Sequence, residues 1–200
     1  MSAERETGES LQSVLRESEA LYEGRGRLQH TLDRLAGRLH DLGADFSLLG
    51  GYALVLHGVR RFTEDLDILV KASDLERLKK ELIGLGYRAE VGCSRSLRDT
   101  TTGVRIDFVV SGQYPGDGRP KPVAFPDPAA QREMMQGLPV VDLRTLIELK
   151  LASGLTAPDR LQDLADVQRL IRTHHLQAGY ADRLDASVRS KFVELCRSVA

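Results

Sequence analysis

The run Asp65-Leu66-Asp67-Ile68-Leu69-Val70 constrains the fold more than any other stretch of the chain. It alternates carboxylate with aliphatic side chain, the period of a strand with one apolar face. Asp65 and Asp67 therefore point the same way, with Cα atoms about 7 Å apart. Such a strand needs a core behind it and a shared ligand or solvent in front. Asp107 repeats the theme, because it interrupts the apolar run Val104-Arg-Ile-Asp-Phe-Val-Val, where an unpaired charge is costly and calls for compensation. Three carboxylates converging from neighbouring strands supply the hard oxygen donors that Mg2+, or Mn2+ in its place, prefers, and leave positions for phosphate oxygens.

Around this strand the periodicity predicts a mixture of helices and strands. A helical pattern over 11–42 lines up Leu28, Leu32, Leu35, Leu39 and Leu42, with Gly24 and Gly26 as interruptions. That stripe either packs on its own domain or forms a dimer seam. Phe46-Ser-Leu-Leu reads as a buried strand, 51–57 as a short helix, 75–85 as an amphipathic helix, and 87–91, 94–99 and 104–110 as strands. Five of the 7 prolines, with Gly112, Gly116 and Gly118, fall in 111–128. This marks a long loop, either connector or lid, with Arg119 and Lys121 as its phosphate-seeking members. Helices follow over 143–151, 161–171 and 180–199, the last carrying Tyr180, Leu184, Val188, Phe192, Leu195 and Val199 on one stripe.

Composition removes several classes of function. With 42% hydrophobic and 28% charged residues the chain can bury a core, and a net charge of −1 gives no bulk attraction to nucleic acid or anionic lipid. Apolar runs reach about five residues, far below the ~20 of a membrane helix. The start Met1-Ser-Ala-Glu-Arg-Glu lacks the basic and apolar regions of a secretory signal, and Cys93 and Cys196 are isolated thiols, so the expected location is the cytoplasm. His174 and His175 are adjacent, do not share a helix face and lack spaced partners, which makes them solvated or capping residues rather than metal ligands. His57 is expected to close its helix before Gly58.

Ahead of the acidic pair, Leu49-Gly50-Gly51 ends a strand and opens a helix, where backbone N–H groups are free for an anion and glycine permits close approach. Lys150, at about 100° per residue, falls inside the apolar arc of Leu143, Leu146, Ile147 and Leu151, so it either snorkels or meets an internal anion. The same construction puts Leu164, Ala165 and Ile171 on the side of Leu161 and turns Asp166 away from it. Arg61 reads either as a surface arginine or as a group that holds phosphate or orients the Asp pair. Thr63 reads either as a turn residue or as part of the site.

In this order, Leu49-Gly50-Gly51, Arg61-Phe-Thr63-Glu-Asp65-Leu-Asp67-Ile and the later Asp107 resemble the signature of the DNA polymerase β-like nucleotidyltransferase superfamily. With Leu146-Ile-Glu-Leu-Lys150-Leu-Ala and Asp163-Leu-Ala-Asp166-Val, the pattern looks most like that of bacterial AbiEii-type nucleotidyltransferases, over roughly residues 46–172. The resemblance implies an α+β nucleotidyltransferase fold, a short mixed β-sheet with helices packed on it. It divides the chain into an N-terminal helical segment (1–44), a catalytic core (45–141) and a C-terminal helical region (142–200). Asp65, Asp67 and Asp107 become catalytic metal ligands, with Asp107 also helping to deprotonate the acceptor. Gly50, Gly51, Arg61, Thr63 and Lys150 become nucleotide- and phosphate-binding residues, and Asp163 and Asp166 enter by resemblance alone.

The implied reaction transfers a nucleoside monophosphate from an NTP, with Mg2+, to a hydroxyl of RNA such as tRNA, of a protein or of a small molecule. A toxin–antitoxin or phage-defence setting implies a cognate protein partner; a homodimer is a further candidate association, and no membrane is involved. The alternative of another class is a nucleotide-fold binding module that acts as antitoxin or interaction partner without transfer. The chain has no tryptophan and shows no clear base-stacking aromatic, which leaves the preferred nucleotide open.

Overall fold

Alternation and β-branched content place Asp65–Val70 (β2) at the centre of a seven-stranded sheet, in a computed structural model that describes residues 26–199. Leu66 and Ile68 are fully buried, while Asp65 and Asp67 on the opposite face are half-buried. Phe46–Leu49 (β1) runs antiparallel to β2 on one side, and Arg105–Val110 (β5) runs parallel to it on the other. Tyr87–Glu90 (β3) and Cys93–Asp99 (β4) extend one edge; Arg132–Met135 (β6) and Leu138–Val141 (β7) extend the other. The order is β3-β4-β5-β2-β1-β7-β6, with parallel β2/β5 and β1/β7 neighbours among antiparallel ones. The α+β class with a mixed sheet is as expected, and the sheet is wider than expected.

Helix Arg27–Asp41 (α1) starts after Gly26 and stops where Gly43 adopts a left-handed φ of 62°, with the Gly43 and Ala44 N–H groups returning to the His40 and Leu39 carbonyls. Leu28, Leu32, Leu35 and Leu39 are buried in the chain's own core, so the leucine stripe is used within the fold. Each contributes roughly 1.5–3 kcal/mol. The part of the predicted helix over 11–25, including Gly24, lies outside the described residues.

Gly50–Leu56 (α2) follows β1 directly, and His57 closes it as expected. Ala72–Leu82 (α3) connects β2 to β3 and begins three residues earlier than the predicted 75–85. Leu143–Thr156 (α4), capped by the Asp142 carboxylate accepting the Thr145 N–H at 2.7 Å, packs against Leu161–Thr173 (α5) and Ala186–Val199 (α6). Among the described residues no helix is long and apolar enough to cross a membrane.

Three departures from the sequence reading have physical causes. The β6–β7 hairpin was not expected, since its turn is Gln136-Gly137 instead of Asn-Gly and Pro139 lies in the strand; both turn residues take positive φ, as a two-residue hairpin turn requires. The predicted 180–199 helix is broken. Ala178–Arg183 is a 3-10 turn, and α6 begins after Asp185, whose carboxylate accepts the Ser187 N–H and hydroxyl. Tyr180 still meets Phe192, at 5.7 Å between ring centroids, so the stripe outlives the break.

The third departure is the rotation of α5. Leu161 is 68% exposed, whereas Asp166, Val167, Leu170 and Ile171 are buried. A leucine at a helix start need not face inward, and Leu161, in the first turn of α5, faces solvent. We expect Leu161→Ala to leave stability within about 0.5 kcal/mol and Leu170→Ala to cost about 2–5 kcal/mol. Thermal melts of the two variants test this, and equal losses would restore the rotation read from the sequence.

Candidate active site

Because β2 and β5 are parallel and in register, Asp67 lies directly opposite Asp107 and Asp65 opposite Arg105. Adjacent strands run about 4.8 Å apart, so Asp65, Asp67 and Asp107 share one small patch of the sheet. Leu49 of β1 pairs with Asp67, and Ser96 of β4 pairs with Asp107, so the register of four strands fixes this patch from both sides. The opposite faces of β2 and β5 carry Leu66, Ile68, Ile106 and Phe108, all buried. A one-residue slip would bury the carboxylates and expose the aliphatics.

The crowding shows in the protonation equilibria. Burial, followed by repulsion from Asp107 and Asp65, pushes Asp67 up to about 6, against the pull of Lys150 and a hydrogen bond from the Gly51 N–H. Burial and the Asp107 charge also raise Asp65 above its ordinary value. The compensation that the sequence required for Asp107 comes from Arg105, whose Nε donates to Oδ1 at 2.9 Å, and from the Ser96 hydroxyl, which donates to the same oxygen. Neither residue was picked out from the sequence, although Arg105 stands only two positions away on the same face.

The glycine pair is required by what lies against it. Gly50 has a φ of 64°, and a Cβ there would sit 1.8 Å from Asp67 Oδ2; a Cβ on Gly51 would sit 2.5 Å from Thr63 Oγ1. The turn is thus pressed onto the acidic strand with no space for side chains. It forms one wall of a cleft of about 230 Å³, which Arg61, Asp67, Lys150, Arg160 and Asp163 also line. Pro115 and Phe125, from the 111–128 segment, add an apolar wall. Phe125 is the one phenylalanine among the residues lining this cleft, and nothing local in the sequence distinguishes it from any loop phenylalanine.

Lys150 is buried, as its angle predicted, but its partners are protein carboxylates. Nζ lies 2.7 Å from Asp163 and 2.8 Å from Asp166. Asp166, fully buried, also receives Arg61 at 2.6 Å, Arg169 at 3.0 Å and Gln162 at 3.0 Å. The sequence geometry that turned Asp166 outward is corrected: it is the hub of a buried network joining α4, α5 and the segment before β2. Burial would raise Asp163, yet the charge and hydrogen bond of Lys150, with help from Ser153, hold it below the ordinary range. Lys150, Arg61 and Arg169 thus share the two carboxylates Asp163 and Asp166.

Other predicted residues sit apart from the cleft. Thr63 donates to the Asp65 carbonyl at 3.3 Å and lines a neighbouring cavity of about 230 Å³ with Glu64, Asp65, Arg98 and Arg105. Lys121 does not reach for phosphate: its Nζ binds the Pro115 carbonyl at 2.7 Å, Asp117, and Thr156 Oγ1 at 2.8 Å, fastening the loop to the end of α4. Arg119 is exposed. His174 hydrogen-bonds the His57 carbonyl at 2.9 Å, and His175 takes a left-handed φ just past α5, both in keeping with capping.

The donor chemistry on this patch suits a hard divalent cation: three carboxylates on one face, two of them destabilised as anions by burial and then by the neighbouring Asp107 charge, which a cation would offset. Among the described residues no three acidic, histidine or cysteine groups are yet drawn close enough to enclose an ion. Asp107 is engaged by Arg105 and Ser96.

The raised Asp67 makes a prediction in the absence of divalent cations. The native state takes up the proton more readily than the unfolded chain, so its contribution is full at pH below about 4 and is lost as pH rises through about 6. Asp67→Asn is therefore expected to melt higher than wild type at pH 7.5, by on the order of 1 kcal/mol or roughly 2–4 °C. The gap should close as pH falls toward 4. A gap independent of pH would contradict the raised protonation of Asp67 that burial and its acidic neighbours produce.

No protein-family profile matches the chain, and no curated protein matches it in sequence. Solved structures match it in fold. The crystal structure of ANT(2″)-Ia in complex with adenylyl-2″-tobramycin shares 12% identity, covers 84% of this chain and 96% of that one, and superposes with a TM-score of 0.50. The solution structure of the antibiotic-resistance factor ANT(2″)-Ia gives 13% identity, 84% and 89% coverage and a TM-score of 0.51. At these identities the likeness concerns architecture, and the mixed sheet with its packed helices has the nucleotidyltransferase fold.

Proposed function

We propose that this chain is a divalent-cation-dependent nucleotidyltransferase that moves a nucleoside monophosphate from an NTP to an acceptor hydroxyl. The observation that carries the reading is the register of β2 and β5. It sets Asp67 opposite Asp107 with Asp65 on the same side, and the Gly50–Gly51 turn closes on Asp67. Asp65, Asp67 and Asp107 would hold Mg2+, with Mn2+ as a substitute, which when bound neutralises phosphate charge and aligns the reacting oxygens.

The rest falls to the chain's own side chains. Arg61, Lys150 and Arg160 border the cleft and attract the triphosphate, while Asp163 and Asp166 hold Lys150 in place from below, and Asp166 holds Arg61 as well. Gly50 and Gly51 allow phosphate to lie against the backbone. Phe125 and Pro115 offer an apolar surface to a base. The acceptor oxygen bonds to the α-phosphorus, the bond between that phosphorus and the bridging oxygen breaks, and pyrophosphate leaves. The acceptor's proton passes to the Asp107 carboxylate. Placement in line of the reactants and charge neutralisation account for the rate, as no covalent enzyme intermediate is needed.

Within this reading the order of Arg61, Thr63, Asp65, Asp67, Lys150, Asp163 and Asp166 supports an AbiEii-type enzyme with a cognate protein partner in a toxin–antitoxin or phage-defence system. RNA such as tRNA, a protein or a small molecule is the acceptor. The likeness to ANT(2″)-Ia, crystallised with an adenylylated tobramycin, keeps small molecules among these.

Incubation with each α-labelled NTP, Mg2+ and fractionated cell extract tests the function. We expect label in one RNA, protein or small-molecule fraction, with transfer reduced at least about 100-fold by Asp65→Asn or Asp67→Asn at unchanged fold by circular dichroism. Metal-dependent NTP binding without labelling of any fraction would favour the binding-module alternative, and undiminished transfer by both variants would refute the site.

A further inference from the structure

The pairing of β2 with β5 puts four side chains, not three, at the corners of one square. Asp65 and Asp67 stand on β2, and Arg105 and Asp107 face them on β5. The fourth corner is a cation. Arg105 Nε donates to Asp107 Oδ1 at 2.9 Å, and Arg105 Nη2 lies 3.4 Å from Ser96 Oγ, whose hydroxyl donates to that same carboxylate oxygen. Arginine and serine thus converge on one oxygen from two strands. The guanidinium has turned along its own strand toward Asp107, although Asp65 is its cross-strand neighbour.

In this arrangement one oxygen of Asp107 is already engaged by Arg105 and Ser96, so a cation approaching that oxygen meets a competitor. The pair is about one-third exposed on the Arg105 side, and ion pairs of that exposure are weak enough for a divalent cation to displace. Room for the displaced group exists. Arg105 itself lines the second cavity of about 230 Å³, whose wall also includes Glu64, an acidic residue outside the proposed metal set, and Arg98.

We infer that Arg105 is the resident counter-ion of the third carboxylate, holding Asp107 while the acidic face is free of metal and giving it up to an incoming divalent cation. This rests on the proposed cation-dependent function. Arg105 is a positioning residue that acts through Asp107: it keeps the third carboxylate aimed and partnered, and it makes metal entry an exchange of one cation for another. Lysine would not serve equally, since the two separate donors that engage Asp107 and Ser96 belong to the guanidinium fork.

Two measurements on the full chain test the inference. In 15N-edited spectra, with the Arg105 Nε–H signal assigned by its loss in Arg105→Gln, titration with MgCl2 is expected to shift that signal together with the backbone amides of Asp67 and Asp107. Mn2+ binding followed by electron paramagnetic resonance is expected to tighten about two- to fivefold in Arg105→Gln. Amides that respond to Mg2+ while the Arg105 Nε–H stays fixed, or Mn2+ affinity unchanged or weakened in Arg105→Gln, would overturn the counter-ion role and leave the metal site standing. Amides that do not respond to Mg2+, with no Mn2+ bound by either protein, would overturn the metal-dependent function and this inference with it.

Discussion

Two carboxylates held opposite one another across adjacent strands repel, and the structure around Asp67 and Asp107 is organised by that repulsion. The register creating it is enforced from behind, where Leu66, Ile68, Ile106 and Phe108 are buried only if the acids face forward. Hydrophobic burial thus imposes an electrostatic cost that the forward face must manage locally. Arg105 and Ser96 take one side of the problem, and the Gly51 N–H and the charge of Lys150 take the other. What is left over appears as the elevated protonation of Asp65 and Asp67.

The cleft floor follows a different rule. Asp166 is fully buried and accepts from lysine, two arginines and a glutamine, so here each charge is answered by direct contact. Buried ion networks gain little net stability, but removing one member of such a network is expensive because its partners stay buried. The Asp166 network therefore acts chiefly to define position. It ties the side chains that border the cleft to two helices far along the chain, and one hydrophobic core runs beneath them all.

The parts of this architecture legible in the sequence are those written in a short period. Strand alternation gave β2 and β5, helical spacing gave α1 and the buried angle of Lys150, and the order of glycines and acids pointed to the fold. The parts that were missed depend on long-range partners. Asp166 looks outward on a wheel drawn from Leu161, and only packing of α5 on α4 shows which side is inward. Lys121 looks like a phosphate ligand until Thr156, 35 positions away, claims it. Arg105 sat in plain view, and its importance appears only when register places it on the acidic face.

The fastening of the 111–128 segment has a consequence for how such a cleft can diversify. Lys121 binds this segment to the last turn of α4, and Phe125 pairs through its backbone with Gly112 and Gln113 just past β5, so the wall bearing Pro115 and Phe125 is anchored at both ends. The register of the acids is set by the pairing of β1, β2, β5 and β4 and not by the side chains of this wall. Substitutions of side chains along the loop can reshape the apolar wall while the carboxylates keep their register, so one acidic frame can stand beside walls of different shape.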